Sequence, residues 1–409
     1  MNMFLKEFRE RGYLYQCTAE DELSEILNRK IRAYIGFDCT APSLHVGSLL
    51  QIMCLRLLQK HGHQPIVLLG GGTTRIGDPS GKEETRKILS EKEIERNIKN
   101  IKNVFKIFLK TKKTSLKPIF VNNYKWLGKL NYINFLREIG KHFTINKMLN
   151  FDSVRLRLDR EQSLSYMEFN YMILQAYDFL ELNKSKGCLL QIGGSDQWGN
   201  IVNGVDLVKR HSNKKVFGLT TPLITLSSGS KMGKSEKGAI WLEKTLLSPY
   251  DYWQYWRNTD DRDVVKFLRM FTDIEINQID KLRSENINDL KIILANETTT
   301  MLHGKEAAKK AERTAEKTFK KGMVGEDLPT LKLEKEKIES GLNLIDLVVT
   351  SKLLNSKSEV RRTIKNKGIK INNQTIQDEK FVLKVHHFEN KNFIKLSHGK
   401  KNHIIIKMI

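Results

Sequence analysis

Residues 32–37 (Arg32-Ala33-Tyr34-Ile35-Gly36-Phe37) form a short apolar run, which predicts a buried strand. Leu49, Leu50, Met53 and Leu57 follow at helical spacing, so residues 46–60 read as a helix, and a second apolar run over 65–70 returns the chain as another strand. A strand–helix–strand unit of this kind crosses over right-handedly and presents ligands at the carboxyl ends of its strands, where His45 and Asp78 fall. Residues from about 120 to 190 read as mainly helical, with segments at 132–139 and 166–182, and 191–194 resume the sheet. From 249 to 320 the pattern is helical and charged, with Leu268, Phe271 and Ile274 as a buried stripe and 307–319 as a strong helix former. Gly322, Gly325 and Pro329 mark 321–340 as a linker. Beyond it come an apolar helix at 344–349, a second helix with a Ser cap at Ser358 and a terminating Gly368, and a hairpin over 369–376 that turns at Asn.

At 409 residues the chain exceeds one hydrophobic core, so two or three domains are expected. The net charge of +23 points to a polyanionic partner. Lysine-rich composition can arise from coding bias, so distribution is the better test. Residues 341–409 hold 14 basic and 5 acidic residues, a local excess. Cys17, Cys39, Cys54 and Cys188 have neither CxxC pairing nor metal-ligand spacing with His, which predicts reduced thiols. No apolar stretch approaches the roughly 18 residues of a membrane span. The N-terminal segment carries acidic residues and reads neither as a signal nor as a transit peptide, so a bacterial cytoplasm is the expected location.

Two short motifs carry the candidate chemistry. His45-Val46-Gly47-Ser48 lies at a helix start, where backbone amides and the helix dipole favour phosphate and an imidazole adds a donor. Gly47 lets a flat base approach the backbone. Lys231-Met232-Gly233-Lys234-Ser235 sets two lysines three apart in a Gly- and Ser-rich segment, suited to closing on a triphosphate as charge builds on its leaving pyrophosphate. Alone, the first motif equally describes an ordinary strand-to-helix turn and the second a solvated lysine loop.

Their order and company decide the matter. Together with Tyr34 to Thr40, Ile76-Gly77-Asp78-Pro79-Ser80-Gly81-Lys82, Tyr171 to Asp178 and Gln191 to Asn200, they make the sequence resemble the class I aminoacyl-tRNA synthetases, specifically the bacterial type of tyrosyl-tRNA synthetase, over nearly its whole length. The resemblance implies an α/β fold: a Rossmann-like parallel-sheet catalytic domain over 1–245 with a helical insertion about 120–190, an α-helical anticodon-side domain over 246–320, and a small α+β, S4-like RNA-binding domain over 341–409. It implies that residues matching Tyr34 and Asp178 hydrogen-bond the tyrosine phenol and that those matching Asp78, Tyr171 and Gln175 hold its ammonium. Asp38, Asp196 and Gln197 would hold ribose and the tyrosine backbone, with Gly36, Gly47 and Gly194 against ATP. Thr40, His45 and Ser48 would act on ATP, and Lys82, Arg86, Lys231 and Lys234 would clamp pyrophosphate, with Mg²⁺ accompanying ATP and no dedicated protein metal site. Arg361, Arg362 and Lys365 would meet tRNA(Tyr), and the chain would form a homodimer. Spacings of 4 and 3 set Tyr171, Gln175 and Asp178 on one helix face, as a solvated polar face would also be.

Three positions depart from the commoner pattern: Ser48 for a second His, Gly233 for Ser, and Thr74-Arg75 where a Gly and an apolar residue are usual. None removes a charge that the chemistry needs. A tryptophan-specific sister enzyme would lack the basic tail and have no use for Tyr34 with Asp178. A non-catalytic RNA-binding derivative would keep the tail while eroding the two motifs, which are intact here.

Overall fold

The structure is a computed structural model describing residues 2–79, 89–229, 232–235, 238–320, 329–388, 392–399 and 402–409, with side chains at all of these except 152, 153, 234, 235 and 318–320. Lys82, Arg86 and Lys231 therefore lie outside the described residues, and Lys234 is described only along its backbone. The chain divides into two compact units, the first comprising Met1–Gly233, Trp241–Glu243 and Thr259–Leu290, the second Lys234–Ile240, Lys244–Asn258 and Lys291–Ile409.

The first unit opens with α1 (Met3–Glu10), β1 (Gln16–Cys17) and α2 (Glu20–Ile26). The predicted strand–helix–strand unit follows as β2 (Arg32–Phe37), α3 (Leu49–Lys60) and β3 (Gln64–Leu69). All six residues of β3 are buried, as expected of a parallel strand covered on both faces. Then come α4 (Thr73–Ile76), α5 (Glu91–Phe108) and β4 (Ile119–Asn122). The insertion comprises α6 (Tyr124–Leu127), α7 (Tyr132–Glu138), α8 (Ile145–Leu149), α9 (Asp152–Asp159), α10 (Tyr166–Phe169) and α11 (Tyr171–Lys186). The sheet resumes with β5 (Cys188–Gly194), and α12 (Trp198–Ser212) leads into β6 (Phe217–Thr221). The order is β1-β6-β5-β2-β3-β4, parallel except for the antiparallel β1. The chain builds outward from β2 in one direction through β3 and β4, then returns to β2's other side with β5. That reversal opens a crevice at the carboxyl ends of β2 and β5.

Local chemistry moves several expected boundaries. The helix expected over 166–182 is two: Ser165 and Glu168 form a capping box that starts α10, and α11 starts afresh after Asn170. The stretch at 119–122, assigned to the helical insertion from 120 onward, is instead the edge strand β4, paired with β3. α14 (Val264–Phe271) buries Leu268 and Phe271, but it ends before Ile274, which is only partly buried.

The second unit holds the short pair β7 (Lys234–Ser235) and β8 (Gly238–Ala239), followed by α13 (Pro249–Arg257). α14 and α15 (Ile276–Leu282) belong to the first unit, and the division falls inside α16 (Ile287–His303). The stretch 246–320 is thus shared between units rather than forming one helical body. α17 (Lys305–Lys320) packs on α13, where Trp253 Nε1 donates to Asn296 Oδ1 at 2.7 Å and Asn296 Nδ2 to Glu312 Oε2 at 3.1 Å.

The stretch expected to be linker carries structure: β9 (Thr330–Leu333) and α18 (Lys335–Glu339), then β10 (Leu342–Asn343). α19 (Leu344–Thr350) and α20 (Lys357–Lys365) match the two expected helices, although the cap of α20 is Ser356 rather than Ser358. The hairpin is β11 (Ile369–Ile371) and β12 (Gln374–Thr375), turning through Asn372 and Asn373 at φ 48° and 72°, left-handed values that Asn tolerates. β13 (Val382–Leu383) pairs with β10, and β14 (Phe393–His398) and β15 (Asn402–Met408) complete a five-stranded sheet ordered β12-β11-β14-β15-β9. β9 runs parallel to β15, so this domain begins before residue 341.

Candidate active site

The crevice is a cavity of about 290 Å³. Tyr34, Gly36 and Asp38 reach it from β2 and its end, Gln191 and Gly194 from β5, and Tyr171, Gln175 and Asp178 from one face of α11. Gly47, Ser48, Asp78, Asp196 and Gln197 also line it. Twelve of the expected tyrosine and ATP residues thus meet in one space. Thr40 is exposed, and neither it nor His45 belongs to the lining.

Tyr34 stands beside Gln191 in register across β2 and β5. Its hydroxyl and the Gln191 Oε1 are buried with no hydrogen-bond partner among the described residues. Such groups are costly unless a ligand completes them. Burial, reinforced by the negative charge of Asp178, holds the Tyr34 phenol far above its ordinary range, so it stays protonated and able to donate.

Asp178 is 2 % exposed. Asn123 Nδ2 donates to its Oδ2 at 2.9 Å and Trp126 Nε1 to its Oδ1 at 2.7 Å. Burial raises the carboxyl to about 7, with these two donors pulling the other way and the charges of Asp38 and Glu181 adding to the rise. The same Asn123 amide donates to Thr73 Oγ1 at 3.0 Å; Thr73 donates to Asp38 Oδ1 at 2.7 Å, and the Tyr171 hydroxyl donates to Asp38 Oδ2 at 3.0 Å. One hydrogen-bonded chain therefore fixes both ends of the polar lining. Gly70 makes room for it, since a Cβ there would lie 2.2 Å from Asp38 Oδ1. Asp78 Oδ2 accepts from Gln197 Nε2 at 3.0 Å, and Gln197 Oε1 accepts from Asn200 Nδ2 at 3.1 Å.

Asn123, Trp126, Thr73 and the cavity face of Gln191 were not anticipated from sequence. The available signal was the run Ile119-Phe120-Val121 after Pro118, which marks a strand whose carboxyl end carries Asn122 and Asn123.

His45 caps a short 3₁₀ turn, Val46–Ser48, that precedes α3, and its Nδ1 accepts from the Gly47 N–H at 3.0 Å. In the neutral ring this puts the proton on Nε2. It also engages one amide that the sequence reading left for phosphate. The His45 ring lies between two glycines: a Cβ at Gly47 would be 2.5 Å from its Cε1, and one at Gly233, where φ is +122°, would be 2.7 Å from its Nδ1. His45 bridges in antiparallel fashion to Trp241, and Leu242 N donates to Leu44 O at 2.8 Å. Asp263 accepts from the Ser227 N–H at 2.8 Å and the Ser227 hydroxyl at 2.7 Å, holding the approach to the second motif.

The polar crevice lies at the carboxyl ends of β2 and β5, with Gly47 and Ser48 of the first motif in its lining. The model of tRNA synthetases class I (W and Y) matches residues 26–320, and the chain belongs to that family. The model of the tyrosine–tRNA ligase SYY-like C-terminal domain matches residues 319–406. The chain is 67 % identical over 410 residues to the tyrosine–tRNA ligase of Pelagibacter ubique (strain HTCC1062), covering all of both chains. It is 51 % identical over 409 residues to that of Rickettsia felis, covering 99 % of this chain and 100 % of that one. Among solved structures, a C-terminally truncated mitochondrial tyrosyl-tRNA synthetase of Aspergillus nidulans superposes with a TM-score of 0.69 at 30 % identity, covering 77 % of this chain and 94 % of that one. That of Coccidioides posadasii gives 0.66 at 31 %, covering 76 % and 91 %.

Proposed function

We propose that the cavity binds L-tyrosine beside the α-phosphate of ATP and that the residues gathered there carry the chemistry of tyrosine–tRNA ligation. In that reaction tyrosine and ATP give tyrosyl-AMP and pyrophosphate, and tyrosine then passes to the 3′-terminal ribose of tRNA(Tyr). The observation that carries the substrate assignment is the buried Asp178 carboxyl, gripped by Asn123 and Trp126 in the wall that also holds the unpartnered Tyr34 hydroxyl. A phenol completes both groups, donating to Asp178 and accepting from Tyr34. Phenylalanine leaves the Tyr34 hydroxyl buried without a partner and gives the buried Asp178 carboxylate no further donor beyond Asn123 and Trp126, which is how enzymes of this family reject it.

Asp78, Tyr171 and Gln175 hold the ammonium, with Gln197 steering Asp78. The tyrosine carboxylate attacks the α-phosphorus, the bond to the β-phosphate oxygen breaks, and the electron pair leaves on pyrophosphate. No proton moves, so the protein's contribution is positioning and charge stabilisation. Gly36, Gly47, Gly194, Asp38 and Asp196 form the nucleotide side; Thr40, His45, Ser48, Lys82, Arg86, Lys231 and Lys234 act on the phosphates. Among the described residues no three His, Cys, Asp or Glu side chains gather into a metal-binding group. As the family resemblance implies, Mg²⁺ would accompany ATP and neutralise phosphate charge.

The insertion exposes Tyr132, Ile133, Leu136, Ile145, Leu149, Tyr166 and Met167. We read this exposed apolar surface as one that a second copy of the chain covers, giving a homodimer. Arg361, Arg362 and Lys365 are exposed on α20 opposite its buried Val360 and Ile364, where they meet tRNA phosphates. No helix among the described residues is long and apolar enough to cross a membrane; the substrates put the work in the cytoplasm. Pyrophosphate exchange with tyrosine, phenylalanine and tryptophan in parallel tests the reading. Tyrosine alone should support rapid exchange, and equal exchange with tryptophan would sink the assignment.

A further inference from the structure

Over residues 96–117 the chain carries eight basic residues and no acidic one: Arg96, Lys99, Lys102, Lys106, Lys110, Lys112, Lys113 and Lys117. This excess nearly equals that of the whole C-terminal region, yet it lies in the catalytic unit and no role in the reaction absorbs it. From Arg96 to Lys110 the spacings are 3, 3, 4 and 4, which set these five side chains along one face of α5 and its end. The opposite face buries Ile94, Asn97, Ile101, Val104, Phe105 and Phe108 against the fold. All eight are exposed except the half-buried Lys102, whose ammonium lies over the Phe120 ring at 5.1 Å. None forms an ion pair among the described residues. Asp273, which lines the same recess as Lys110, is already engaged by Arg56.

We propose that α5 and the segment after it form a second RNA-phosphate contact surface, separate from the C-terminal domain. The proposal rests on the reading of tRNA as substrate. The stripe spans about 21 Å at 1.5 Å per residue, a length over which a nucleic acid backbone presents many charges. Seven of the eight cations are lysines, point charges suited to phosphate rather than to reading bases. Ile107 is the one large apolar side chain exposed on α5, too little for insertion into lipid.

The test replaces Lys99, Lys106, Lys110 and Lys112 together with Gln in the full chain. The control chain carries the same change at Lys6, Arg262, Lys281 and Arg283, exposed cations elsewhere in the unit. Binding of a tRNA(Tyr) transcript is measured from about 50 to 200 mM salt, a window in which phosphate contacts dominate the salt dependence. Each lost contact lowers the slope of log K against log salt by roughly 0.7–0.9, so the stripe variant should fall by about 3 relative to the control. A slope equal to the control's overturns the proposal. So does retention of RNA binding with loss of binding to anionic phospholipid vesicles, which would make the stripe a lipid surface. Tyrosine-dependent pyrophosphate exchange needs no RNA and should be unchanged in both variants. Its absence from the unaltered chain would count against the catalytic reading, not against this surface.

Discussion

The proposed phenol pocket makes a quantitative prediction about pH. Asp178 titrates near 7 in the free enzyme, and its ionised form is the better acceptor for a phenol. The pH profile of kcat/KM reports groups of the free enzyme. Dividing the value for tyrosine by that for phenylalanine cancels the substrate ammonium and the ATP phosphates, which both reactions share. The ratio should therefore rise through a midpoint near 7 and reach a plateau; at pH 6 it should be about tenfold below that plateau, since each unit below the midpoint is a factor of ten. Trp126→Phe removes the 2.7 Å donor to Asp178 Oδ1. A hydrogen bond to a charged group contributes roughly 1.5–3 kcal/mol, equivalent to about 1–2 pH units, so the midpoint should move up by that amount. At pH 7.5 the variant should discriminate severalfold less well, and raising the pH to about 9.5 should restore most of the loss. The assay is pyrophosphate exchange with both amino acids from pH 6 to 9.5. A midpoint that stays put or moves down in Trp126→Phe would refute the reasoning, as would a phenylalanine profile carrying the same transition.

Three further outcomes are expected. Gly47→Ala sets a methyl 2.9 Å from the backbone oxygen of Met232 as well as on the His45 ring, so the KM for ATP should rise at least tenfold while tyrosine binding, followed by equilibrium fluorescence, stays within twofold; an unchanged KM would detach Gly47 from the nucleotide. Burial alone would push the Glu7 carboxyl up, but hydrogen bonds from His61, Lys60 and Arg11 outweigh it and hold the group well below the usual carboxylate range; its stabilisation is present above about pH 4.5 and lost as pH falls toward the depressed value, so Glu7→Gln should lower Tm at pH 7 and narrow the Tm gap to wild type at pH 3, and a gap equal at both pH values would contradict this. A chain ending at Lys320 should keep tyrosyl-adenylate formation and charge tRNA poorly, whereas one ending at Glu339 retains β9 without its partner β15 and should aggregate; full charging by the shorter chain would remove the C-terminal domain from RNA binding.

Where apolar runs are short and bounded, the chain states its own structure. β2 matches residues 32–37 and β3 departs from 65–70 by a single residue at each end. β4 was harder because all four of its residues are only partly buried, which weakens the apolar signal that identifies a strand. β9 was harder still: its partner β15 lies some seventy residues on, and local composition around Gly322 and Pro329 describes a linker equally well.

The same distinction divides the site. That Tyr34, Asp78, Tyr171, Gln175 and Asp178 gather in one cavity was legible because each sits in a motif with informative neighbours. Asn123 and Trp126 sit in no such motif, and their importance comes from hydrogen bonds to a residue more than fifty positions away. A buried carboxylate obliges the fold to supply donors, yet nothing local says which element will supply them. Here the donors come from the first turn after β4, the strand that was missed. Misreading one edge strand as part of a helical insertion thus concealed the two donors that, against the rise imposed by burial, lower the proton affinity of Asp178.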